Sequence, residues 1–170
     1  MNRLDAFLRP LYQDLDGASR VEERERIARI ARRLYEPPTG ADARAFELLL
    51  RFHLLGHWLD KVGNLSRTTL AVPDVTEPEL RRTAMSIRRL EAPATGAERA
   101  VAAAVLIDEA GVRGLAERFA RARREGISIA DVAREEPTPV PEWLTDPARQ
   151  WLLQRREQRA AVCRELLEEA

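Results

Sequence analysis

Apolar residues recur every three or four positions along most of the chain, which is the spacing of an α-helix with one buried face. Strand-like alternation with β-branched residues is confined to the short segment 68–72. Two N-terminal helices show the helical spacing most simply, with apolar faces formed by Leu4, Phe7, Leu8, Leu11 and Leu15 in the first and by Ile27, Ile30, Ala31 and Leu34 in the second. The pattern predicts an all-α, single-domain bundle of about six to eight helices.

The most apolar stretch follows the break at residues 37–40, which read Pro-Pro-Thr-Gly. Apolar side chains occupy several sides of residues 42–62, so this segment is predicted to form a central, buried third helix. Later helix starts carry the capping-box pattern, in which a hydroxyl and a glutamate three residues apart cap the first turn. Thr76 with Glu79 and Thr95 with Glu98 fit this pattern. Ser128 with Asp131 is predicted to cap a further, short helix.

Three prolines at positions 137, 139 and 141 indicate a stiff connector. We therefore divide the chain into a helical domain over residues 1–136, a Pro-rich connector over 137–146 and a C-terminal helix over 147–170. The last helix has an incomplete apolar stripe. It is expected to pack on the domain or to form a homodimer.

Charge and composition argue against nucleic-acid binding, membrane insertion and an internal disulfide. The formal net charge is zero and the pI is about 6.8, which makes nucleic-acid binding an unlikely role. No apolar run approaches a membrane span and no signal-peptide core is present, so we expect a cytoplasmic protein without membrane insertion. Cys163 is the only cysteine and cannot form an internal disulfide.

The sharpest chemical pattern is the pair of histidines in the predicted third helix. His53 and His57 are four residues apart, which places them on one face of a continuous helix, and Asp60 follows three residues later. These three side chains are the alternative ligand set for one divalent transition metal. The glutamate of the metalloprotease motif is missing, and histidines on an apolar helix are commonly half-buried and bonded to carbonyls.

Two other groups of residues carry candidate chemistry. Asp108 and Glu109 follow an apolar run and form an acidic pair that could act as a base or complete a metal site. Arginines cluster within residues 24–33, 81–89 and 121–124, where they could contact phosphates, although acidic residues are interleaved.

Three segments, in order, resemble the HD-domain superfamily of metal-dependent phosphohydrolases. Residues 16–24 resemble the segment with the first ligand histidine, whose place is taken by Arg20. Residues 40–54 resemble the stretch that ends in the His-Asp doublet, with His53 in the histidine place and Leu54 in the aspartate place. Residues 107–119 resemble the Leu-Asp-Ala-x-Gly-x-x-Gly-x-Ala-x-x-Phe helix, and Ala103 stands where the family's metal-binding aspartate lies five residues upstream.

The resemblance implies an HD-like scaffold, a pseudoenzyme in which most metal ligands are replaced. On this interpretation the protein is non-catalytic, needs no cofactor and binds a partner protein or a phosphorylated small molecule. Its ligand-binding residues are expected to be Arg20, His53, His57 and Asp108. One alternative is a divergent metal-dependent phosphohydrolase, acting on a nucleotide or other phosphoester, with His53, His57, Asp60 and Asp108 as catalytic residues. Another is a helical regulatory or interaction subunit unrelated to this family.

Overall fold

The computed structural model describes residues 3–13 and 18–168, and every regular element in these residues is a helix. The elements are α1 (Arg3–Gln13), α2 (Ala18–Leu34), α3 (Ala41–Phe52), a 3-10 turn (His53–Leu55), α4 (Gly56–Leu59), α5 (Asn64–Ala71), α6 (Glu77–Arg88), α7 (Gly96–Ala110), α8 (Val112–Glu125), α9 (Ile129–Ala133) and α10 (Asp146–Glu168). The predicted all-α class is confirmed. The strand-like pattern at residues 68–72 belongs mainly to helix α5.

The chain forms two compact units, Met1–Ala102 and Ala103–Ala170, with the division inside α7. The division predicted from the sequence, with a connector after residue 136, stays a prediction. A change of composition is visible at the proline-rich connector, whereas nothing in the apolar, alanine-rich α7 marks a division. Residues 137–141 of the connector carry no regular structure.

The first unit contains a hydrophobic core to which α1, α3 and α6 contribute. Its buried members are Leu4, Leu8, Tyr12, Leu48, Phe52, Leu55, Leu59, Val72, Val75, Leu80 and Ala84. The predicted apolar face of α1 supplies Leu4 and Leu8, while Leu15 lies outside the described residues. Helix α6 packs against both α3 and α4, since Arg44 of α3 pairs with Glu79 and Gly56 of α4 lies against Ile87.

The predicted continuous third helix over residues 42–62 is wrong. Helix α3 ends at Phe52, a 3-10 turn follows, and α4 restarts at Gly56. Tight packing on α6 accompanies this break, because a Cβ atom at Gly56 would lie 2.7 Å from Cγ2 of Ile87. The break lies between His53 and His57, so no continuous helix aligns these two candidate metal ligands.

The predicted caps are confirmed because they depend only on neighbouring residues. The amide of Thr76 donates to the Glu79 carboxylate over 2.7 Å, and the amide of Thr95 donates to Glu98 over 3.1 Å. The hydroxyl of Ser128 accepts from the amide of Asp131 over 3.1 Å. Each bond satisfies an amide that the first turn of a helix leaves unpaired.

The second unit has a smaller core between α8, α9 and α10. Leu115, Ala122, Val132 and Cys163 are its buried members. Gly114 is required here, because a Cβ atom at this position would lie 2.2 Å from the carbonyl oxygen of Glu109. Helix α10 thus packs within its own unit, on α8 and α9, and a homodimer through this helix stays a prediction. None of the helices in the described ranges is long and apolar enough to cross a membrane.

Candidate functional site

His53 is a buried residue at the start of the 3-10 turn, with 7% of its surface exposed. Its Nδ1 lies 3.0 Å from the carbonyl oxygen of Leu50. Because a carbonyl only accepts, Nδ1 carries the hydrogen. Within the described residues Nε2 has no hydrogen-bond partner. Burial lowers the pKa of His53 to about 4, against the raising effect of the Leu50 bond and with a further lowering by the charge of Arg24.

The structure does not bring His53, His57 and Asp60 together as metal ligands. His57 is exposed on α4, beyond the break in the helix, and the Asp60 carboxylate accepts a hydrogen bond from Arg88 of α6. No group of three or more His, Cys, Asp or Glu side chains that could hold a metal occurs in residues 3–13 and 18–168. The predicted convergence of these three side chains is therefore wrong, for the reason that the helix is not continuous.

The two further predicted site residues, Arg20 and Asp108, belong to different units. Arg20 belongs to α2 and donates from Nη1 to Glu23 over 2.7 Å. Asp108 lies in α7, in the second unit, whereas Arg20, His53 and His57 belong to the first. Asp16 and Gly17, which open the first segment of the HD resemblance, lie outside the described residues.

The first unit contains a pocket of about 300 Å³ in which arginines dominate. We call it the arginine pocket. It is lined by Asp5 of α1, by Arg24, Glu25, Ala28, Arg29 and Arg32 of α2, and by Leu50 and Arg51 of α3.

Helix geometry places the α2 side chains of the pocket together. Arg24, Ala28 and Arg32 follow each other at intervals of four residues, which sets them one above another on one face. Ala28 is buried, and its short side chain leaves space between the longer arginines. Arg51 faces this row from α3, and Asp5 from α1. The pocket is thus a tertiary feature with walls from three helices.

Ion pairs hold three of the four arginines in place. Arg32 binds Glu47 with both Nε and Nη2, at 3.0 to 3.1 Å, and Arg51 donates to Asp5. Arg24 lies 3.6 Å from Asp5, and its guanidinium stands 5.2 Å from the centre of the Tyr12 ring. A second ion pair joins Arg24 to Glu25 at 3.7 Å. Both ion pairs are longer than a hydrogen bond, so the N–H donors of Arg24 remain able to bind another acceptor.

The electrostatic character of the pocket is positive. Four arginines and two carboxylates line it, which gives a formal charge of +2 before the neighbouring Glu47 is counted. Arg29 is exposed and has no ion-pair partner among the described residues. Arg24 is only 15% exposed at its side chain, so its charge is less screened by water than that of a surface arginine. The arrangement can therefore bind an anion with several acceptor oxygens.

Tyr12 contacts two residues that line the arginine pocket. Its side chain is fully buried, its hydroxyl donates to the carbonyl oxygen of Arg51, and burial raises its pKa. This bond joins the start of the fold to α3, since the two residues are 39 positions apart. The ring also lies under the guanidinium of Arg24. One side chain thus positions two of the pocket's arginines.

We expect Tyr12→Phe to lower the free energy of unfolding by about 1 kcal/mol, the net contribution of one such hydrogen bond. The ring stays, so core packing is preserved and the loss reports the hydroxyl alone. Urea unfolding followed by circular dichroism measures it. Tyr35→Phe is the control, because Tyr35 is only half-buried and its ring stacks edge-on against Phe46. Equal losses in the two variants would contradict a specific role for the Tyr12 hydroxyl.

The sequence pointed to the arginine cluster of α2 but not to its partners. Asp5, Tyr12 and Arg51 had no local signal, because their contacts join residues far apart along the chain. Arg24, one helical turn after Arg20, is the arginine whose charge acts on His53. Comparison of the chain with protein-family models, with curated proteins and with solved structures found no match.

Proposed function

We propose that this protein is a non-catalytic, HD-like helical protein that binds a small phosphorylated molecule in the arginine pocket. The observation that carries the proposal is the convergence of Arg24, Arg29, Arg32 and Arg51 on one pocket lined by only two carboxylates. Guanidinium groups bind phosphate oxygens through paired, charge-assisted hydrogen bonds, which makes such a cluster a suitable phosphate site.

The size of the pocket favours a small molecule over a protein partner. About 300 Å³ is at the lower end of the range for ligand sites, which suits a phosphate or diphosphate group with a small organic part. A ligand with two negative charges balances the formal charge of the lining residues. A protein surface would need to insert an acidic side chain into the same space.

The arrangement also limits the side-chain entropy that is lost on binding. Arg32 and Arg51 are already held by Glu47 and Asp5, so their ordering requires little additional entropy on binding. Arg29 is the adaptable member, since it is exposed and without an ion pair in the described part of the chain. The side chain of Arg29 can move to contact an anion that is already bound by Arg32 and Arg51.

The HD-like assignment and the lack of catalysis belong to the same proposal. They rest on the order of the three segments that resemble the family and on the arginine, leucine and alanine at three of its ligand positions. A pocket rich in guanidinium groups repels a divalent cation while it attracts phosphate. The alternative, a metal-dependent phosphohydrolase, predicts turnover of the bound phosphoester and is tested by the same experiment.

Isothermal titration calorimetry tests the proposal with pyrophosphate, glucose 6-phosphate and adenosine mono- and diphosphate, each organic ligand measured against its unphosphorylated counterpart. We expect one phosphorylated class to bind with a stoichiometry of one and an affinity that falls with added salt. Arg29→Gln should weaken it about tenfold, the effect of losing one charge-assisted contact at an exposed site. Arg67→Gln removes the same charge from an exposed position of α5 and should leave the affinity within twofold.

Two outcomes would refute this function. Equal losses in Arg29→Gln and Arg67→Gln would show non-specific attraction to positive charge and no pocket. Release of phosphate from the bound ligand after addition of Mn²⁺ or Zn²⁺, lost in His53→Ala, would establish the hydrolase instead. The assay is run on protein whose folding has been checked by circular dichroism.

A further inference from the structure

A second cavity lies in the first unit, in the groove between α3 and α6. It measures about 540 Å³ and is separate in its lining residues from the arginine pocket. We call it the α3–α6 cleft. Its lining residues are Tyr35, Ala41, Asp42, Arg44, Ala45, Leu48, Leu49, Glu79, Arg82, Thr83, Met85, Ser86, Arg89, Thr95 and Ala97.

The floor of the cleft is apolar. Leu48 and Leu49 are buried beneath it, and the short side chains of Ala41 and Ala45 keep the α3 wall low. Met85 lines the opposite side with 54% of its surface exposed. Apolar surface that is open to solvent in a concave site is typical of a place where a ligand binds.

Ion pairs tie the walls of the cleft to one another. Arg44 of α3 donates to Glu79 of α6 over 3.2 Å, and also to the carbonyl oxygen of Asp74 over 2.6 Å. Arg89 donates twice to Glu98 of α7, at 2.7 and 3.1 Å. These ion pairs between the walls leave room for a compact small molecule in the cleft, rather than for a peptide that runs along the whole groove.

Arg82 gives the cleft its specificity. It lies on α6 and, unlike Arg44 and Arg89, has no ion-pair or hydrogen-bond partner in the described residues. Among the other charged residues of the lining, Arg44 pairs with Glu79 and Arg89 pairs with Glu98, while Asp42 is exposed to solvent and adds one negative charge. One unpaired guanidinium above an apolar floor suits a ligand with one anionic group.

We infer that the α3–α6 cleft is a second binding site, for an organic monoanion with an aromatic or other apolar body. The anionic group pairs with Arg82 and the apolar body covers Leu48, Leu49 and Met85. This site does not depend on the arginine pocket, whose ligand is expected to be rich in phosphate and poor in apolar surface. The protein would then respond to two chemically different ligands within one unit.

Two fluorescent probes with the same ring system test this site. Anilinonaphthalenesulfonate is the monoanion, and N-phenyl-1-naphthylamine is its uncharged counterpart. We expect the anion to bind the folded protein with a stoichiometry of one, and Arg82→Gln to weaken the anion about tenfold while it changes the uncharged probe less than twofold. Arg81→Gln is the matched control, because Arg81 is the neighbouring α6 residue, pairs with Glu77 and does not line the cleft.

Filling the cleft provides an independent measurement. Ala45→Phe should abolish binding of both probes, because the new ring occupies the space above the apolar floor. Met85→Glu, at an exposed position, is the second variant should Ala45→Phe fail to fold: it should weaken both probes, because apolar surface is lost, and should weaken the anion more, because a negative charge is added. Arg29→Gln should leave both probes unaffected, which separates this site from the arginine pocket.

Several results would overturn the inference. They are a tenfold loss of the anion in Arg81→Gln as well as in Arg82→Gln, unchanged binding in a folded Ala45→Phe, and binding that does not saturate at one equivalent. Sedimentation of the free protein as a dimer that Ala45→Phe dissociates would assign the cleft to a second copy of the chain instead.

Discussion

Lowering the pH from 6.5 to 4 should reduce the free energy of unfolding by about 3 kcal/mol through His53 alone. Its pKa is 6.5 in a model peptide and about 4 in the fold, where burial disfavours the charged form. Below pH 6.5, His53 binds a proton in the unfolded chain but stays neutral in the folded protein. The stability from neutral His53 is therefore complete above pH 6.5 and is lost progressively as the pH falls toward 4.

The surroundings of His53 explain why it stays neutral in the folded protein. A second proton must go to Nε2, because Nδ1–H already donates to Leu50, and Nε2 has no acceptor in the described part of the structure. The positive charge would also lie in the field of Arg24. Protonation thus places an unpaired charge in a buried site.

Urea unfolding at pH 7, 6 and 5 measures this effect before most carboxylates titrate. The wild-type protein should lose about 2 kcal/mol between pH 7 and 5, and His53→Leu should lose almost none, even if its stability at pH 7 is lower. His57→Gln removes the exposed histidine and should keep the wild-type slope. A slope that survives in His53→Leu and disappears in His57→Gln would show that the wrong histidine had been assigned.

Glu98→Ala should lower the free energy of unfolding by about 3 kcal/mol. The carboxylate of Glu98 is fully buried and accepts from the backbone amides of Ala94 and Thr95 and from Arg89. Removing it leaves two amides without their acceptor at the start of α7 and releases Arg89. Because Arg89 is 46% exposed at its side chain, water compensates part of that loss.

The acid dependence of Glu98 follows from the same contacts. Burial raises the pKa of Glu98, but the hydrogen bonds from Ser86, Thr95, Ala94 and Arg89 outweigh burial and lower the pKa from 4.5 to about 2. Its contribution of about 3 kcal/mol is present above pH 4.5 and is lost as the pH falls toward 2. This window lies below that of His53, so the two groups can be separated in one titration.

Chemical denaturation at pH 7 checks the Glu98 prediction. Glu98→Gln should cost about half as much as Glu98→Ala, because the amide oxygen still accepts while the charge is lost. Glu91→Ala removes an exposed carboxylate from the preceding turn and should change stability by less than 0.5 kcal/mol. A loss below 1 kcal/mol in Glu98→Ala would mean that water replaces the carboxylate and that the cap contributes little.

The two effects bear on function in different ways. Glu98 fixes Arg89 at one wall of the α3–α6 cleft, so its loss should loosen the site as well as the fold. His53 lies in the field of Arg24, which lines the arginine pocket. A bound phosphate would offset the charge of Arg24, and the proposed ligand should therefore lessen the acid sensitivity of His53.

The sequence was sufficient for the features that depend on near neighbours. The apolar spacing determined the helices of α1 and α2, and hydroxyl–glutamate pairs three residues apart determined the caps at Thr76 and Thr95. These structures close their own hydrogen bonds within one turn. Their formation therefore requires only the local order of residues.

Only the tertiary structure decided where the candidate site residues lie. The break between Phe52 and Gly56 separated His53 from His57, although their spacing suits a continuous helix. The arginine pocket joins Asp5 to Arg51 across 46 positions, and the cleft joins Arg44 to Glu79 across 35. Such contacts depend on how helices pack against each other. Helical periodicity specifies which face of a helix is buried but not which helix covers it, so the sequence pattern alone could not identify either site.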